Sequence, residues 1–172
     1  MLSMKSEFDI RPVLALSAGL REEAIRQAWR RALRKTGEWV KTHVARQLSG
    51  ELKIPAKVLK QRLYFFLRSL MEGKVWLGIN PLEAARLGRV RQTRTGVMAG
   101  RHRFPGAWVM KYRDPNGVYR RTGSERGHYA KVMFEFDDAA ERVFCQVAAQ
   151  AEARLLVVLE QEIRWELRKV TG

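Results

Sequence analysis

Two long stretches of helical periodicity constrain the fold most, because together they cover more than a third of the 172 residues. Over 17–49 and again over 138–170, apolar residues recur at steps of three and four, which predicts two long amphipathic helices. Asp138 and Glu141 have the spacing of a capping box at the start of the second helix. We expect both helices to pack on one face of an antiparallel sheet that contains 75–79 and 107–112. The apolar positions are Ile25, Ala28, Trp29, Ala32, Leu33, Val40, Val44 and Leu48, then Phe144, Val147, Ala148, Ala151, Leu155, Val158, Leu159 and Ile163.

Shorter elements lie between the two long helices. Pro55 favours the start of a short helix over 55–71, with Val58, Leu59, Leu63 and Phe66 on its apolar face. The region 74–136 then alternates apolar and polar residues in several places, which predicts strands. The expected fold is α+β: long N-terminal and C-terminal helices packed on a small antiparallel β-sheet with a central β-hairpin. We expect a single domain over 1–172. The run that contains Phe8, Ile10, Val13 and Leu14 is compatible with a further short strand.

The central hairpin is predicted over 101–123. Two β-prone runs flank Asp114, Pro115, Asn116 and Gly117, which are residue types typical of turns. We expect Ala107, Val109 and the ring of Tyr112 near the inner face, and alternation along the strand places Trp108 and Met110 on the outer face. Arg121, on the return strand, would flank the outer Trp108.

The chain is strongly basic, with a formal net charge of +15 and a pI near 10.7, so we expect an anionic partner or a neighbouring subunit with acidic charge. Within 86–126 there are 11 basic residues against 2 acidic ones, whereas 137–172 holds 5 against 7. A candidate basic surface consists of Arg86, Arg89, Arg91, Arg94, Arg101 and Arg103. The single cysteine, Cys145, allows no internal disulfide and is expected on the apolar face of a helix. We expect no signal peptide, no transmembrane segment and no membrane partner.

No arrangement of residues predicts catalysis, a bound metal or a cofactor. His43, His102 and His128 lie in different segments without cysteine or acidic companions at metal-ligand spacing. Asp137 and Asp138 form a carboxylate pair that helix capping explains. We therefore expect a non-enzymatic protein without cofactors.

One alternative function is nucleic-acid binding. The segment 45–63 has the order of a helix-turn-helix, with Lys57, Lys60 and Arg62 free to contact DNA. Few aromatic residues accompany the basic run, since only Phe104 and Trp108 lie close to it, and this disfavours a platform for stacking single strands. Non-specific contact with nucleic acid stays open beside protein assembly.

An ordered set of short motifs resembles the prophage minor tail protein Z family of lambdoid tailed phages. The motifs extend over about 20–130, and Ala28, Ala32 and Leu33 match the alanine-rich opening helix of that family. Phe104, Gly106, Ala107, Trp108 and Arg121 match its glycine-aromatic hairpin position by position. The motifs occupy 50–55, 58–63, 80–82, 95–97, 104–109 and 117–123. The arginine-rich insertion between Leu82 and Thr95 is short, and the C-terminal helix has no matching motif.

The resemblance implies a structural role in virion assembly. A member of the family is a minor tail protein in the virion tail, made in the bacterial host cytoplasm, that acts in tail completion and head–tail joining. Its partners would be other phage tail or head–tail connector proteins, and copies of itself in a homo-oligomer such as a ring. The matched hairpin residues would then form the protein interface, and no catalytic residue is implied.

Overall fold

The structure is a computed structural model that describes residues 2–3, 15, 17–69, 72–110, 112 and 114–171. The helices are, in chain order, α1 (Glu22–Leu52), α2 (Ala56–Lys60), a 3-10 helix (Ala84–Leu87) and α3 (Asp137–Thr171). The strands are β1 (Leu2–Ser3), β2 (Leu63–Leu67), β3 (Gly73–Leu77), β4 (Leu82–Glu83), β5 (Val90–Thr93), β6 (Gly96–Ala99), β7 (His102–Pro105), β8 (Ala107–Val109), β9 (Val118–Arg121), β10 (Tyr129–Lys131) and β11 (Met133–Phe134). With 50% helix and 24% strand, the α+β class with long helices near both ends is confirmed. The apolar residues of 8–14 lie outside the described residues.

The chain divides into two compact units. Unit 1 consists of Met1–Val44, Arg62–Gly78 and Glu141–Gly172, and unit 2 consists of Ala45–Gln61 and Ile79–Ala140. Each long helix contributes residues to both units. The single domain expected over 1–172 stays a prediction.

The core of unit 1 is the seam between α1 and α3. Small residues of α1, Ala28 and Ala32, lie beside Trp29 and Leu33, and all four are buried in one cluster with residues of α3. The residues of α3 in this cluster are Leu155, Val158, Leu159 and Ile163. The predicted apolar stripes of both helices are therefore confirmed. Cys145 is exposed, so its predicted place on the apolar face was wrong; Phe144 and Val147 hold the buried positions around it.

A three-stranded antiparallel sheet of order β1-β3-β2 completes unit 1. Phe65 and Leu67 of β2 pack against the helix cluster. Gly37, in the middle of α1, is buried, and a Cβ there would overlap the ring of Phe65. Glycine is a poor helix former, but at this position it makes room for an aromatic ring.

Charged side chains lie beside this apolar seam. The carboxylates of Glu162 and Glu166 are buried on α3, and Arg31 of α1 donates hydrogen bonds to both at 2.5 Å. Lys35 Nζ lies 2.5 Å from the second oxygen of Glu162. Burial alone would raise the pKa of Glu162, but the hydrogen bonds from Lys35 and Arg31 hold it below its ordinary value. Two cations thus compensate the buried charge of Glu162.

The predicted short helix over 55–71 was wrong over most of its length. Only Ala56–Lys60 is helical, and Leu63–Leu67 is a strand paired with β3. The expected single sheet was also wrong, because residues 73–77 and 107–109 belong to different sheets. Tyr112 is 98% exposed, so its ring does not lie on an inner face.

Among the described residues, the strands of unit 2 form three small antiparallel sheets, of orders β5-β6-β7, β10-β9-β8 and β11-β4. Gly106, at φ +70°, separates β7 from β8 and redirects the chain from one sheet to the next. Gln92 of β5 accepts a hydrogen bond from the Val109 amide at 2.9 Å and donates one to the Gly96 carbonyl at 2.9 Å. This side chain ties the free edge of β8 to the neighbouring sheet. No helix among the described residues is long and apolar enough to cross a membrane.

Replacing Gly37 by alanine is expected to destabilise the protein although alanine is the better helix former. The added methyl group overlaps Phe65, and such overpacking costs about 1–3 kcal/mol. Gly50 is the matched control in the same helix, since a Cβ there meets nothing within 4 Å, and Gly50→Ala should stabilise by up to about 1 kcal/mol. Urea unfolding measures both, and an unchanged midpoint for Gly37→Ala would contradict the packing described.

Glu162→Gln is expected to lower the free energy of unfolding at neutral pH by about 1.5–3 kcal/mol, because charged hydrogen bonds to Arg31 and Lys35 are lost. The folded-state pKa of Glu162 is lowered, so its contribution is present above the unfolded pKa and is lost as pH falls through the folded one. Unfolding at pH 7 and at about pH 3 should therefore show the difference from wild type narrowing in acid. Glu160→Gln removes an exposed i,i+4 pair with Arg164 and should change stability by less than about 0.5 kcal/mol. Equal losses from both variants would contradict a special role for Glu162.

Candidate protein interface

The sheet β10-β9-β8 presents a face of three aromatic and two basic side chains. In its register Trp108 lies opposite Tyr119, Tyr119 opposite Lys131, and Arg121 opposite Tyr129. Because side chains alternate across a strand, these five residues share one side of the sheet. The buried residues Ala107 and Val118 lie on the other side. We call the first side the aromatic face: Trp108, Tyr119, Arg121, Tyr129 and Lys131.

The three rings of the aromatic face pack edge to face. The ring centroid of Tyr129 lies 5.9 Å from that of Trp108 and 5.6 Å from that of Tyr119, with interplanar angles of 68° and 83°. This arrangement is favourable for aromatic quadrupoles. Trp108 is half-buried, whereas Tyr129 and Arg121 are exposed. The cluster is thus held in place within the sheet while part of its surface stays open to solvent.

Polar contacts fix the edge of the aromatic face. The Tyr119 hydroxyl donates a hydrogen bond to Asp114 Oδ2 at 3.0 Å, and Lys131 Nζ lies 3.5 Å from the same oxygen. Lys131 also donates to Glu83 Oε1 at 3.1 Å. The hydrogen bond to Glu83 raises the pKa of Lys131, and burial together with Asp114 raises the pKa of Tyr119. Lys131 is therefore cationic and Tyr119 neutral at physiological pH.

The five residues that the sequence assigned to a protein interface fall into two groups. Trp108 and Arg121 lie on the aromatic face, and Gly106 is exposed where β7 ends. Phe104 is buried in β7 and Ala107 is buried in β8, at 8% and 4% exposure. We correct the assignment for these two, because a buried side chain does not contact a partner. Phe104 was misplaced because β7 belongs to a different sheet from β8.

The helix-turn-helix interpretation of 45–63 is not supported by the local structure. Lys57 and Lys60 are exposed on α2, but this helix has only five residues, and Arg62 lies beyond it immediately before β2. A recognition helix must reach along the major groove with several side chains. Ala56–Lys60 is too short for that, so the local structure does not fit the alternative in which this segment reads DNA through a recognition helix.

The predicted basic surface is exposed throughout. Arg86 donates a hydrogen bond to Gln61 Oε1 at 2.5 Å, and Arg94 lies in the turn between β5 and β6. Arg91 lies in β5 and Arg103 in β7, Arg101 lies in the turn between β6 and β7, and Arg89 immediately precedes β5.

The histidines have local partners. The His43 ring contacts Trp39 at 4.2 Å between centroids and its Nδ1 lies 2.9 Å from the Trp39 carbonyl oxygen. His102 Nε2 lies 2.8 Å from the Leu52 carbonyl oxygen, and His128 Nε2 lies 3.6 Å from a carboxylate oxygen of Glu125. Within the described ranges, no three residues among histidine, cysteine, aspartate and glutamate form a group able to hold a metal.

No family model, curated protein or solved structure matches this chain. The resemblance to the minor tail protein Z family therefore rests on the motifs of the sequence alone.

Sequence reasoning missed three members of the aromatic face, Tyr119, Tyr129 and Lys131. The alternation within 74–136 predicted strands, but not that Tyr129–Lys131 pairs with β9. Sequence reasoning also missed the outer side of β2 and β3. There Tyr64 and Phe66 are about half exposed, and the ring centroids of Tyr64 and Trp76 lie 5.8 Å apart. The alternation of Leu63, Phe65 and Leu67 against Tyr64 and Phe66 is the signal that could have found it.

Tyr119→Phe is expected to lower the free energy of unfolding, because Asp114 loses the hydrogen bond that the Tyr119 hydroxyl donates. Tyr112→Phe is the matched control, since Tyr112 is 98% exposed, and should leave stability unchanged. Thermal or urea unfolding of both variants checks this. A Tyr119→Phe protein as stable as wild type would show that the hydroxyl contributes nothing to the face.

Proposed function

We propose that this protein is a structural component of a phage or prophage tail, a minor tail protein that acts in tail completion and head–tail joining. Its proposed place is the virion tail, after synthesis in the bacterial host cytoplasm. Its proposed partners are other tail or head–tail connector proteins and further copies of the same chain. The role is a binding role without catalysis.

The observation that carries this proposal is the aromatic face. Two of the residues by which the chain resembles the minor tail protein Z family, Trp108 and Arg121, lie on this face. Tryptophan, tyrosine and arginine are the residues that most often dominate the energetics of protein interfaces. The rings are already packed against one another, so little side-chain entropy would be lost on docking. These properties suit a surface that binds another protein.

Gly106 supports the same proposal. It is exposed at φ +70°, and a Cβ there would meet nothing within 4 Å. The position therefore leaves open backbone beside the start of β8, where a partner can approach closely. The resemblance to the minor tail protein Z family extends only to about residue 130 and includes no motif in α3. A role of α3 in assembly is therefore not part of the proposal.

Genetic complementation tests the proposal. The gene is deleted from the prophage that carries it, and variants are supplied in trans before induction. Arg121→Gln and Trp108→Ala should each reduce infectious particles by at least tenfold, because truncating a central interface residue costs ~2 kcal/mol or more of binding. Electron microscopy should then show tails that are not joined to heads.

Controls separate assembly from folding. Arg126 is exposed in the loop after β9, and Arg126→Gln should complement fully. Arg121 is exposed, so Arg121→Gln should melt near wild type, whereas Trp108→Ala should lose about 1–2 kcal/mol because one edge-to-face pair disappears. Normal phage yield from the deletion itself would contradict the proposed function. Full complementation by both face variants would remove the aromatic face from it.

A further inference from the structure

The register of the sheet β5-β6-β7 shows on which side of the sheet the arginines of the arginine-rich run lie. Arg91 lies opposite Met98, and Met98 lies opposite Arg103, so the three share one side of the sheet. The hydrogen bond from the Gly100 amide to the Arg89 carbonyl, at 3.1 Å, continues the ladder and places Arg89 on the same side. Arg101 lies in the turn beside it. We call this surface the arginine face: Arg89, Arg91, Arg101 and Arg103.

The opposite side of the same sheet is the inner one. Val97, Ala99 and Phe104 are buried there, so the sheet has one side in the core and one in solvent. All four arginines are exposed. The strand register fixes the outer position of Arg91 and Arg103, and the ladder bond of Arg89 extends it by one residue. Arg101 adds its charge to this surface from the adjoining turn.

The charge of the arginine face is not compensated within the described part of the chain. None of its four guanidinium groups makes an ion pair there; the one side-chain contact is from Arg103 to Thr95 Oγ1 at 2.9 Å. Elsewhere in the protein charges are paired: buried Glu162 contacts Arg31, and exposed Lys131 contacts Glu83. Like charges on one small surface repel each other, and an anionic ligand relieves that repulsion.

The chemistry of the face indicates which anion it takes. Guanidinium groups bind phosphate oxygens through paired hydrogen bonds. β5 and β7 lie on either side of β6, so two rows of arginine stand about 10 Å apart. The outer side carries Met98, Thr93 and Pro105 but no aromatic ring, so it offers nothing on which the bases of a single strand could stack.

We propose that the arginine face binds the sugar-phosphate backbone of double-stranded nucleic acid without reading its sequence. This sheet has three strands and is therefore wider than the two-stranded ribbon that the major groove admits, so contacts stay with the phosphates. The proposal is independent of the aromatic face and of the role in tail assembly.

Fluorescence anisotropy with a labelled duplex of about 30 base pairs, titrated between about 50 and 200 mM salt, tests the proposal. The full-length protein in which Arg89, Arg91, Arg101 and Arg103 are changed to glutamine is compared with wild type. Each phosphate contact contributes about 0.9 to the slope of log K against log salt. The magnitude of that slope should therefore be smaller by about 3 to 4 for the variant than for wild type. At 0.1 M salt the variant should bind at least about a hundredfold more weakly. Circular dichroism should show unchanged folding.

A control with the same net charge makes the result specific to this face. Arg30, Arg34, Lys57 and Lys60 are also exposed, and their change to glutamine should alter the slope by less than about 1. Equal losses from the two variants would overturn the proposal, because net charge alone would then explain binding.

Two competitors test the assignment to duplex nucleic acid. Unlabelled duplex of a different sequence should displace the probe at the same concentration as the probe sequence itself. Displacement by polyglutamate at equal charge concentration would overturn the proposal and identify the face as a site for acidic protein surfaces. Tighter binding of a single-stranded thymidine oligonucleotide than of the duplex would also overturn it.

Discussion

The apolar seam between α1 and α3 is the interaction on which unit 1 depends. Ala28 and Ala32 of α1 are buried in one apolar cluster with Leu155 and Leu159 of α3. A carboxylate that is removed from water requires a partner. Glu162 at the seam can be buried only because Arg31 and Lys35, four residues apart on the same face of α1, both contact it. Apolar and ionic contacts thus specify the same pairing of helices, which favours one register over the alternatives.

The long helices were predictable from the sequence because their signal is local and repeated. Each apolar stripe extends over many turns, so one misread residue such as Cys145 does not change the assignment. The function of Gly37 was not predictable in this way. Its propensity indicates a weak helix, whereas the structure shows that the ring of Phe65 occupies the space of the missing side chain. Only the tertiary partner distinguishes a weak point from a packing site.

The segment 55–71 shows where local reasoning stops. Val58, Leu59, Leu63 and Phe66 fit a helical period, but Leu63, Phe65 and Leu67 fit a strand equally well, and a short apolar run cannot be assigned by periodicity alone. Pro55 correctly marked a helix start, yet the aromatic residues that follow favour a strand once β3 is available to pair with them. The pairing, which is not visible in a single segment, decided the outcome.

The surfaces of unit 2 follow from one constraint. Side chains alternate across a strand, so a strand with one side buried in the core exposes every second residue on its outer side. The hairpin β8–β9 was predicted with its outer Trp108, and Arg121 follows by the same alternation; the third strand was predicted, but not its register. Arg89 and Arg91, like Arg101 and Arg103, are separated by single residues, and the residues between them, Val90 and His102, lie on the opposite side. The run that reads in sequence as a generally basic loop is therefore a period-two pattern with arginine in the solvent position. Its charge is confined to one side because the core excludes it from the other, so the arrangement of the arginines depends on the fold as much as on their number.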